Sequence, residues 1–210
     1  MLEALVLPEL EEAGPEVLAA QGSFDALLLA DADLTGRDLA GITLTECELR
    51  GAAAHSAVLK HCRLIETRIE RLHAPVLEAI RSTWRDVELS GSRLGALDIC
   101  DAELRSLRIT SSKFDWINLR SSTLEDVLVE DCTIEELDLS GAAASRVAFR
   151  NCRVGRLALA HARLEDVDLR GLEIGSIGNL EGLAGATLDA QQVAALAPAF
   201  AHHLGIRLEG

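Results

Sequence analysis

The side chains that could support catalysis or bind a metal are few and scattered along this 210-residue chain. Two histidines are neighbours, His202 and His203, but they fall on a predicted helix and therefore point in different directions. No glycine-rich phosphate loop and no paired-cysteine metal motif is found. The sequence therefore predicts surface histidines, no enzyme activity, no cofactor and no metal centre. The six histidines are His55, His61, His73, His161, His202 and His203.

Carboxylates dominate the polar chemistry of the chain. Its 34 Asp and Glu outnumber its 20 Lys and Arg, which gives a formal net charge of −14 at pH 7. The first twenty residues alone contain five glutamates and neither lysine nor arginine. Such a charge favours an electrostatic role towards a partner. Whether the carboxylates act together depends on the elements that position them.

A five-residue apolar repeat organises the chain from Trp84 to Ile174. Every fifth residue of this stretch is apolar, and the phase never slips. Two residues before each of these positions, small and large side chains alternate, as in Ser92, Leu97 and Ala102. Neither the 3.6-residue period of a helix nor the two-residue period of a strand explains the pattern. A fixed short repeat indicates a solenoid, whose units bury apolar side chains only by stacking on their neighbours.

The repeat resembles that of the pentapeptide-repeat family, whose motif is A(D/N)LXX. The best matches are residues 32–36, ADLTG, and residues 102–106, AELRS. The resemblance covers roughly residues 22–178. It implies an all-β fold, a right-handed quadrilateral β-helix with one pentapeptide on each side and about four in each coil. Small and large inner residues then lie on alternate sides, so that opposite sides carry the same class.

The ends of the chain lie outside the repeat and are predicted to cap it. Residues 1–20 are interpreted as a small N-terminal cap, with a helical turn over Pro8–Glu12, or alternatively as an acidic partner-binding tail. Residues 21–178 form the predicted β-helix. Within it, residues 70–83 disturb the pattern and contain Pro75, which predicts an irregularity or a bend without an inserted loop. Residues 179–210 are interpreted as a C-terminal α-helical cap.

The C-terminal segment is predicted to contain a helix that starts at the N-cap Asp189 and ends before Gly205. Pro198 is expected to kink this helix or to split it in two. One face is apolar, and we expect it to cover the last coil, to form a homodimer interface, or to do both. In the quinolone-resistance branch of the family, dimers form through this end of the molecule. The residues of the apolar face are Val193, Leu196, Ala197, Phe200 and Leu204.

Four of the five cysteines occupy inward small positions of the repeat: Cys47, Cys62, Cys132 and Cys152. Cys132 and Cys152 are twenty residues apart and are expected to stack on adjacent coils. Buried free thiols in a reducing cytosol are the simpler interpretation, and a disulfide or a metal site is the alternative. The N-terminus has no signal-peptide pattern and no apolar run reaches the length of a membrane span. We therefore expect a cytoplasmic protein without membrane contact.

Residues twenty apart stack in columns at strand spacing on such a coil. Two outward columns are rich in carboxylates, and an acidic band encircles one coil between them. We predict that these side chains form an acidic partner-binding surface. The first column is Glu46, Glu66, Asp86, Ser106, Asp126, Arg146 and Asp166. The second column is Asp38, Val58, Glu78, Asp98, Asn118, Asp138 and Ala158. The band adds Glu125, Glu130, Asp131, Glu135 and Glu136.

Two functions remain open. The first is a general scaffold for an unidentified protein partner, with a local patch around Trp116. This residue falls at an outward position, where it is either exposed to the partner or, in the simpler interpretation, packed against a corner. The second is a DNA mimic that binds DNA gyrase or a related topoisomerase and modulates or protects it, as the quinolone-resistance branch implies; neither function involves direct nucleic-acid binding. The coil carries seven net negative charges over roughly 37 Å, about one per ~5 Å, whereas duplex DNA carries about one per ~1.7 Å.

Overall fold

A computed structural model describes residues 4–207, and about half of them lie in short strands joined by tight corners. Two 3₁₀ helices cover Pro15–Val17 and Leu180–Leu183, and the α-helix, α1, covers Ala190–His203. The strands in chain order are β1 Glu11–Glu12, β2 Ser23–Asp25, β3 Leu27–Ala30, β4 Thr43–Thr45, β5 Glu48–Arg50, β6 Ala57–Val58, β7 Arg63–Glu70, β8 His73–Glu78, β9 Thr83–Ser90, β10 Arg93–Asp98, β11 Glu103–Thr110, β12 Lys113–Asn118, β13 Thr123–Glu130, β14 Thr133–Asp138, β15 Ala143–Arg150, β16 Arg153–Ala158, β17 Arg163–Asp168, β18 Glu173–Gly178 and β19 Ala186–Thr187.

All paired strands are parallel and belong to two sheets that wind around a common interior. The longer sheet contains β2, β4 and the odd-numbered strands from β1 to β19, and the shorter one contains the even-numbered strands from β6 to β18. Through the repeats, paired residues are twenty apart in sequence, as Leu104 and Leu124 are. This register gives a β-helix of about nine turns. The predicted fold class, a quadrilateral parallel β-helix with one C-terminal helix, is confirmed.

The interior follows the alternation of small and large residues. Ser82, Ser92 and Ser112 are buried at small positions, and Leu97 and Leu107 are buried at large ones. Because the coil has twenty residues, each class recurs on opposite sides. A narrow stack of aliphatic side chains fills the space between them, which explains how a chain with only 3% aromatic residues can form a core.

The small polar positions hold neighbouring coils together at the corners. Ser92 Oγ accepts a hydrogen bond from the Leu72 N–H at 3.0 Å, and Ser112 Oγ accepts one from the Ser92 N–H at 3.0 Å. Cys152 Sγ likewise accepts a hydrogen bond from the Cys132 N–H at 3.4 Å. A buried N–H without an acceptor is costly, so a hydroxyl or thiol in this column satisfies the backbone of the preceding coil.

The coil continues in register through the disturbed segment. Strand β8, His73–Glu78, pairs with β6 on one side and with β10 on the other. A Cβ on Gly95 would collide with the carbonyl oxygen of Pro75 on the preceding coil. Glycine therefore lets the next coil approach Pro75 closely. The bend over residues 70–83 remains a prediction.

The N-terminal segment closes the first coil. Strand β1 pairs with β3, and Leu18 is buried in the core. Arg37, which occupies an inward repeat position, donates from Nη2 to the Leu18 carbonyl oxygen at 2.8 Å. The predicted helical turn over Pro8–Glu12 is wrong: residues 11–12 form a strand because their backbone pairs with β3, and a 3₁₀ turn follows at Pro15–Val17.

The C-terminal helix begins where the sequence indicates. Asp189 is its N-cap and forms a capping box with Gln192, and Gln192 Nε2 also donates to the Leu169 and Leu172 carbonyl oxygens. Gly205 follows with a φ of +69°. The helix runs unbroken through Pro198. Of the two expected outcomes, the split is therefore wrong, and the kink remains a prediction. Over the described residues, no helix combines the length and apolarity needed to cross a membrane.

Candidate protein-interaction surface

The first acidic column lies on a corner of the coil where the backbone is left-handed. Glu46, Glu66, Asp86, Asp126 and Asp166 all have φ between +48° and +56°. Asp is among the non-glycine residues that tolerate this conformation best. Part of the acidity of the column therefore follows from the corner geometry, and the sequence pattern alone did not show this.

The middle of this column is neutralised by arginines. Arg146 donates two hydrogen bonds to Asp126, Nε to Oδ1 at 2.7 Å and Nη2 to Oδ2 at 2.9 Å. Arg146 Nη2 also contacts Glu125, which Arg105 reaches from the preceding coil at 2.6 Å. Hydrogen bonds from Arg146 lower the pKa of both the Asp126 and Glu125 carboxyls. These two carboxylates therefore have arginine partners within the molecule.

Side chains of the second column accept hydrogen bonds from backbone N–H groups of the turns. Asp138 Oδ1 accepts the Ser140 N–H at 2.9 Å, and Asp98 Oδ1 accepts the Cys100 N–H at 3.3 Å. Asn118 joins the column by donating from Nδ2 to Asp98 Oδ1 at 2.8 Å. These side chains fix the end of each strand, as Asx turns do. Their carboxylates are thus already engaged with the backbone.

The predicted acidic band proves to be one complete coil. Residues 121–140 contain seven Asp and Glu and no Lys or Arg, whereas residues 141–160 contain four arginines and no Asp or Glu. Within this pair of coils, Arg156 reaches Glu136 at 3.9 Å, and Arg120 reaches Asp138 from the other side at 3.8 Å. Four of the seven carboxylates of this coil, Glu125, Asp126, Glu136 and Asp138, are therefore matched by arginines of adjacent coils.

Three carboxylates of the band form no ion pair with any described residue: Glu130, Asp131 and Glu135. Asp131 and Glu135 are exposed, and Asp131 only accepts a hydrogen bond from Asn151 Nδ2 at 2.5 Å. Glu136 lies beside them and is the register partner of Trp116. We name Asp115, Glu130, Asp131, Glu135 and Glu136 the acidic arc.

Trp116 is half-buried, so it is not the fully exposed aromatic that the partner-binding interpretation required. It lies on β12 with Ala96 of β10 and Glu136 of β14 as its register partners on the two sides. The exposed remainder lies beside the acidic arc. An aromatic ring with a fixed backbone and a carboxylate border is thereby presented on one face.

The predicted apolar face of α1 is divided between the core and the surface. Phe200 is half-buried and packs against the core, and Leu196 is half-buried beside an open groove of about 450 Å³ next to the last coil. Val193 and Leu204 are exposed by 47% and 71%. The helix thus covers the coil only in part.

The cysteines are unpaired, and four of the five are buried. All five cysteines are free thiols, and burial raises the pKa of Cys62 to about 12. The two stacked thiols, Cys132 and Cys152, donate to backbone carbonyl oxygens of their own and the preceding coil. Across residues 4–207, no three His, Cys, Asp or Glu side chains converge as metal ligands.

An ionic ladder that the sequence pattern had not predicted lies beneath the N-terminal segment. Glu48, Arg68 and Glu88 are register partners on three successive coils. Glu48 points outward in the repeat yet is only 4% exposed. Leu5 forms hydrogen bonds with Arg68 and Glu88 through its backbone. The ladder could have been predicted from the sequence, because acidic and basic residues alternate there at a spacing of twenty residues.

Comparisons with known proteins agree with the repeat. Residues 28–64 match the family model described as pentapeptide repeats, in eight copies. No curated protein matches the chain.

Similar solved structures include QnrB1, a plasmid-mediated fluoroquinolone resistance protein, at 17% identity and a TM-score of 0.43, with 91% of each chain covered. They also include HetL, a pentapeptide-repeat protein involved in the regulation of heterocyst differentiation in the cyanobacterium Nostoc sp. strain PCC 7120. It is 17% identical, with 73% of this chain and 86% of HetL covered and a TM-score of 0.23. The five-residue repeat that runs through the β-helix and the family model that matches residues 28–64 make the chain similar to pentapeptide-repeat proteins.

Proposed function

We propose that the chain is a non-enzymatic protein-binding rod and that the acidic arc is its docking surface. One observation carries this proposal: a coil of seven carboxylates without a cation retains Glu130, Asp131 and Glu135 outside every ion pair of the described residues. Several carboxylates elsewhere on the rod, among them Glu70, Asp101 and Asp168, are instead paired with arginines. Unmatched charges on a rigid face are suited to an external partner.

The chemistry of the arc defines the partner as a protein with a basic surface. Trp116 supplies an apolar anchor on a fixed strand, and the carboxylates supply a polar border. Interfaces are commonly built in this way, with an aromatic centre and a polar rim. Electrostatic complementarity mainly sets specificity and the rate of association, so we expect binding to weaken as salt is raised.

A DNA-mimicking partner of gyrase is the alternative that the net charge of −14 supports. Such a mimic uses an acidic surface along the rod. Arg105 and Arg146 interrupt that surface by pairing with Glu125 and Asp126. The charge pattern therefore favours a local patch over a continuous stripe, and we rank the scaffold first.

The test compares wild type with the arc variant Glu130→Lys/Glu135→Lys. A matched control, Glu165→Lys/Asp166→Lys, makes the same charge change at exposed positions two coils further on. Proteins captured by wild type and by the control, but lost by the arc variant and at high salt, support the proposal. Capture of the same proteins by all three chains contradicts it.

The gyrase alternative is decided by supercoiling assays with the same three chains. Salt-sensitive inhibition by wild type that the arc variant loses identifies gyrase as the partner. Inhibition that only the Glu165→Lys/Asp166→Lys control loses shifts the contact to the corner column. The arc substitutions avoid Asp126 and Asp138, whose ion pairs and turn hydrogen bonds would complicate the result.

We propose further that the exposed part of α1 forms a homodimer contact. Val193 and Leu204 are eleven residues apart, and this spacing brings them to the same side of a helix. Analytical ultracentrifugation of Val193→Glu/Leu204→Glu should then show a monomer where wild type sediments as a dimer. A monomeric wild type, or a dimeric variant, contradicts this assignment.

A further inference from the structure

The N-terminal strap, which we define as residues 4–10, crosses one face of the β-helix from outside. Its C-terminal end is held because β1 pairs with Leu27 and Leu28 of the first coil. Its other end is held at Leu5, which bonds to Arg68 and Glu88 two and three coils further along. Three coil spacings measure roughly 14 Å, a distance that the six residues from Leu5 to Glu11 span when extended.

Arg68 and Glu88 act as a clamp on the backbone of a single residue. Arg68 Nη2 donates to the Leu5 carbonyl oxygen at 2.6 Å, and the Leu5 N–H donates to Glu88 Oε1 at 2.9 Å. The two clamp side chains are register partners and lie 3.3 Å apart as an ion pair. Since both bonds go to main-chain groups, the clamp binds an extended backbone whatever its side chain.

The clamp is preorganised by a buried carboxylate. Glu48 lies on the preceding coil and approaches Arg68 to 3.9 Å, and it accepts a 2.6 Å hydrogen bond from Arg50 Nε. With only 4% of Glu48 exposed, its charge is held in place by these two arginines. Fixing Arg68 before binding reduces the ordering cost of the contact.

Alternate residues of the strap face the rod. Leu5 and Leu7 are half-buried, whereas Val6 between them is 86% exposed. Leu10 is also half-buried. Extended chains present every second side chain to a surface, so the strap occupies its face as a peptide ligand would, with leucines towards the rod.

The backbone of the strap is hydrogen-bonded to the β-helix near its two ends but not between them. From residue 6 to residue 10, no backbone group bonds to the β-helix in the part of the chain that the structure describes. Segments with few hydrogen bonds and exposed side chains open at low free energy. The clamp is therefore accessible to a competing chain when the strap lifts.

We propose that the Arg68–Glu88 clamp and the face beneath the strap form a binding site for an extended peptide of a partner protein, with leucines at alternate positions, and that the strap is its cis-occupant. Recognition combines main-chain hydrogen bonds with alternate side chains, as in other extended-peptide sites. The short tether gives the strap an effective concentration in the millimolar range. A free peptide therefore binds weakly until the strap is released.

The test measures fluorescence anisotropy of a labelled peptide of residues 4–13, ALVLPELEEA, which contains the strap and β1, when it is mixed with the full chain. The release variant Leu5→Pro/Leu7→Asp removes the N–H that Glu88 accepts and one inward leucine. We expect its Kd for the peptide to be at least tenfold lower than that of wild type. Adding Arg68→Gln to the release variant should restore weak binding. Adding Arg63→Gln, an exposed arginine outside the clamp, should leave the Kd unchanged.

Two results would overturn the proposal. One is a release variant that binds the peptide no better than wild type while circular dichroism shows it folded. The other is binding that survives Arg68→Gln, or that is equally strong for a peptide of the same composition with consecutive leucines. The arc variant Glu130→Lys/Glu135→Lys should bind the peptide like wild type, so failure of this site and failure of the acidic arc are distinguished.

Discussion

Two neighbouring coils, residues 121–140 and 141–160, have matching interiors and opposite surfaces. Their inner residues are register partners of similar type, such as Val127 with Val147 and Leu137 with Leu157. Their outer residues are seven acids on one coil and four arginines on the next. The comparison shows that inward positions are constrained by packing, whereas outward charges are chosen in relation to the adjacent coil.

The largest expected effect lies in the shared interior. Leu137→Ala and Leu157→Ala each remove a leucine that is 1% exposed. Both should lower the free energy of unfolding in urea by about 2–5 kcal/mol, the range for buried leucines. Near-equal losses support equivalent interiors. If one substitution lowers the free energy of unfolding by less than half as much as the other, the two interiors are not equivalent.

A smaller effect is expected at the stacked thiols. Cys152→Ala removes the acceptor of the buried Cys132 N–H, and an unpaired buried group costs about 1–3 kcal/mol. Cys152→Ser should stay closer to wild type, because serines at equivalent positions accept the same backbone bond. Urea unfolding of both variants measures the difference. Equal stability of the alanine and serine variants would show that the bond contributes nothing.

The next effect in size is expected for the ion pair between Arg146 and Asp126, which joins the two coils. Arg146→Gln should raise the pKa of Asp126 towards its ordinary value, since hydrogen bonds from Arg146 lower it. A depressed carboxyl pKa stabilises the fold above the unfolded pKa, and this contribution is lost as pH falls through the folded pKa. Wild type and variant should therefore converge in stability at low pH. Carboxyl titration by NMR checks the shift, and an unchanged Asp126 would contradict it.

The smallest effect is expected for the longer pair, Arg156 with Glu136. The two groups are 3.9 Å apart, with side-chain exposures of 62% and 41%. Exposed pairs of this kind contribute little, so Arg156→Gln should leave the urea midpoint within experimental error. A clear loss of stability would show that the arginine coil supports the acidic coil more strongly than this geometry indicates.

Sequence reasoning worked best where the repeat is strict and least well at the ends. The apolar residue at every fifth position located the core, and Asp189 and Gly205 marked the helix correctly. The helical turn over Pro8–Glu12 failed because pairing with β3 overrode the local preference. Of the two outcomes expected at Pro198, the split is wrong because the helix continues on both sides of the proline.

The sequence by itself determined which residues face inward and which coils are acidic, because a five-residue period and a charge count are properties of the chain alone. Only the tertiary structure decided which carboxylates are available. Asp126 is held by Arg146, Asp138 caps a turn, and Glu135 remains unpaired. These outcomes depend on side chains twenty residues apart and on where each one lies at a corner. The strap depends on contacts that Leu5 makes with Arg68, 63 positions away in sequence, and with Glu88, 83 positions away. No local pattern can predict contacts at such separations.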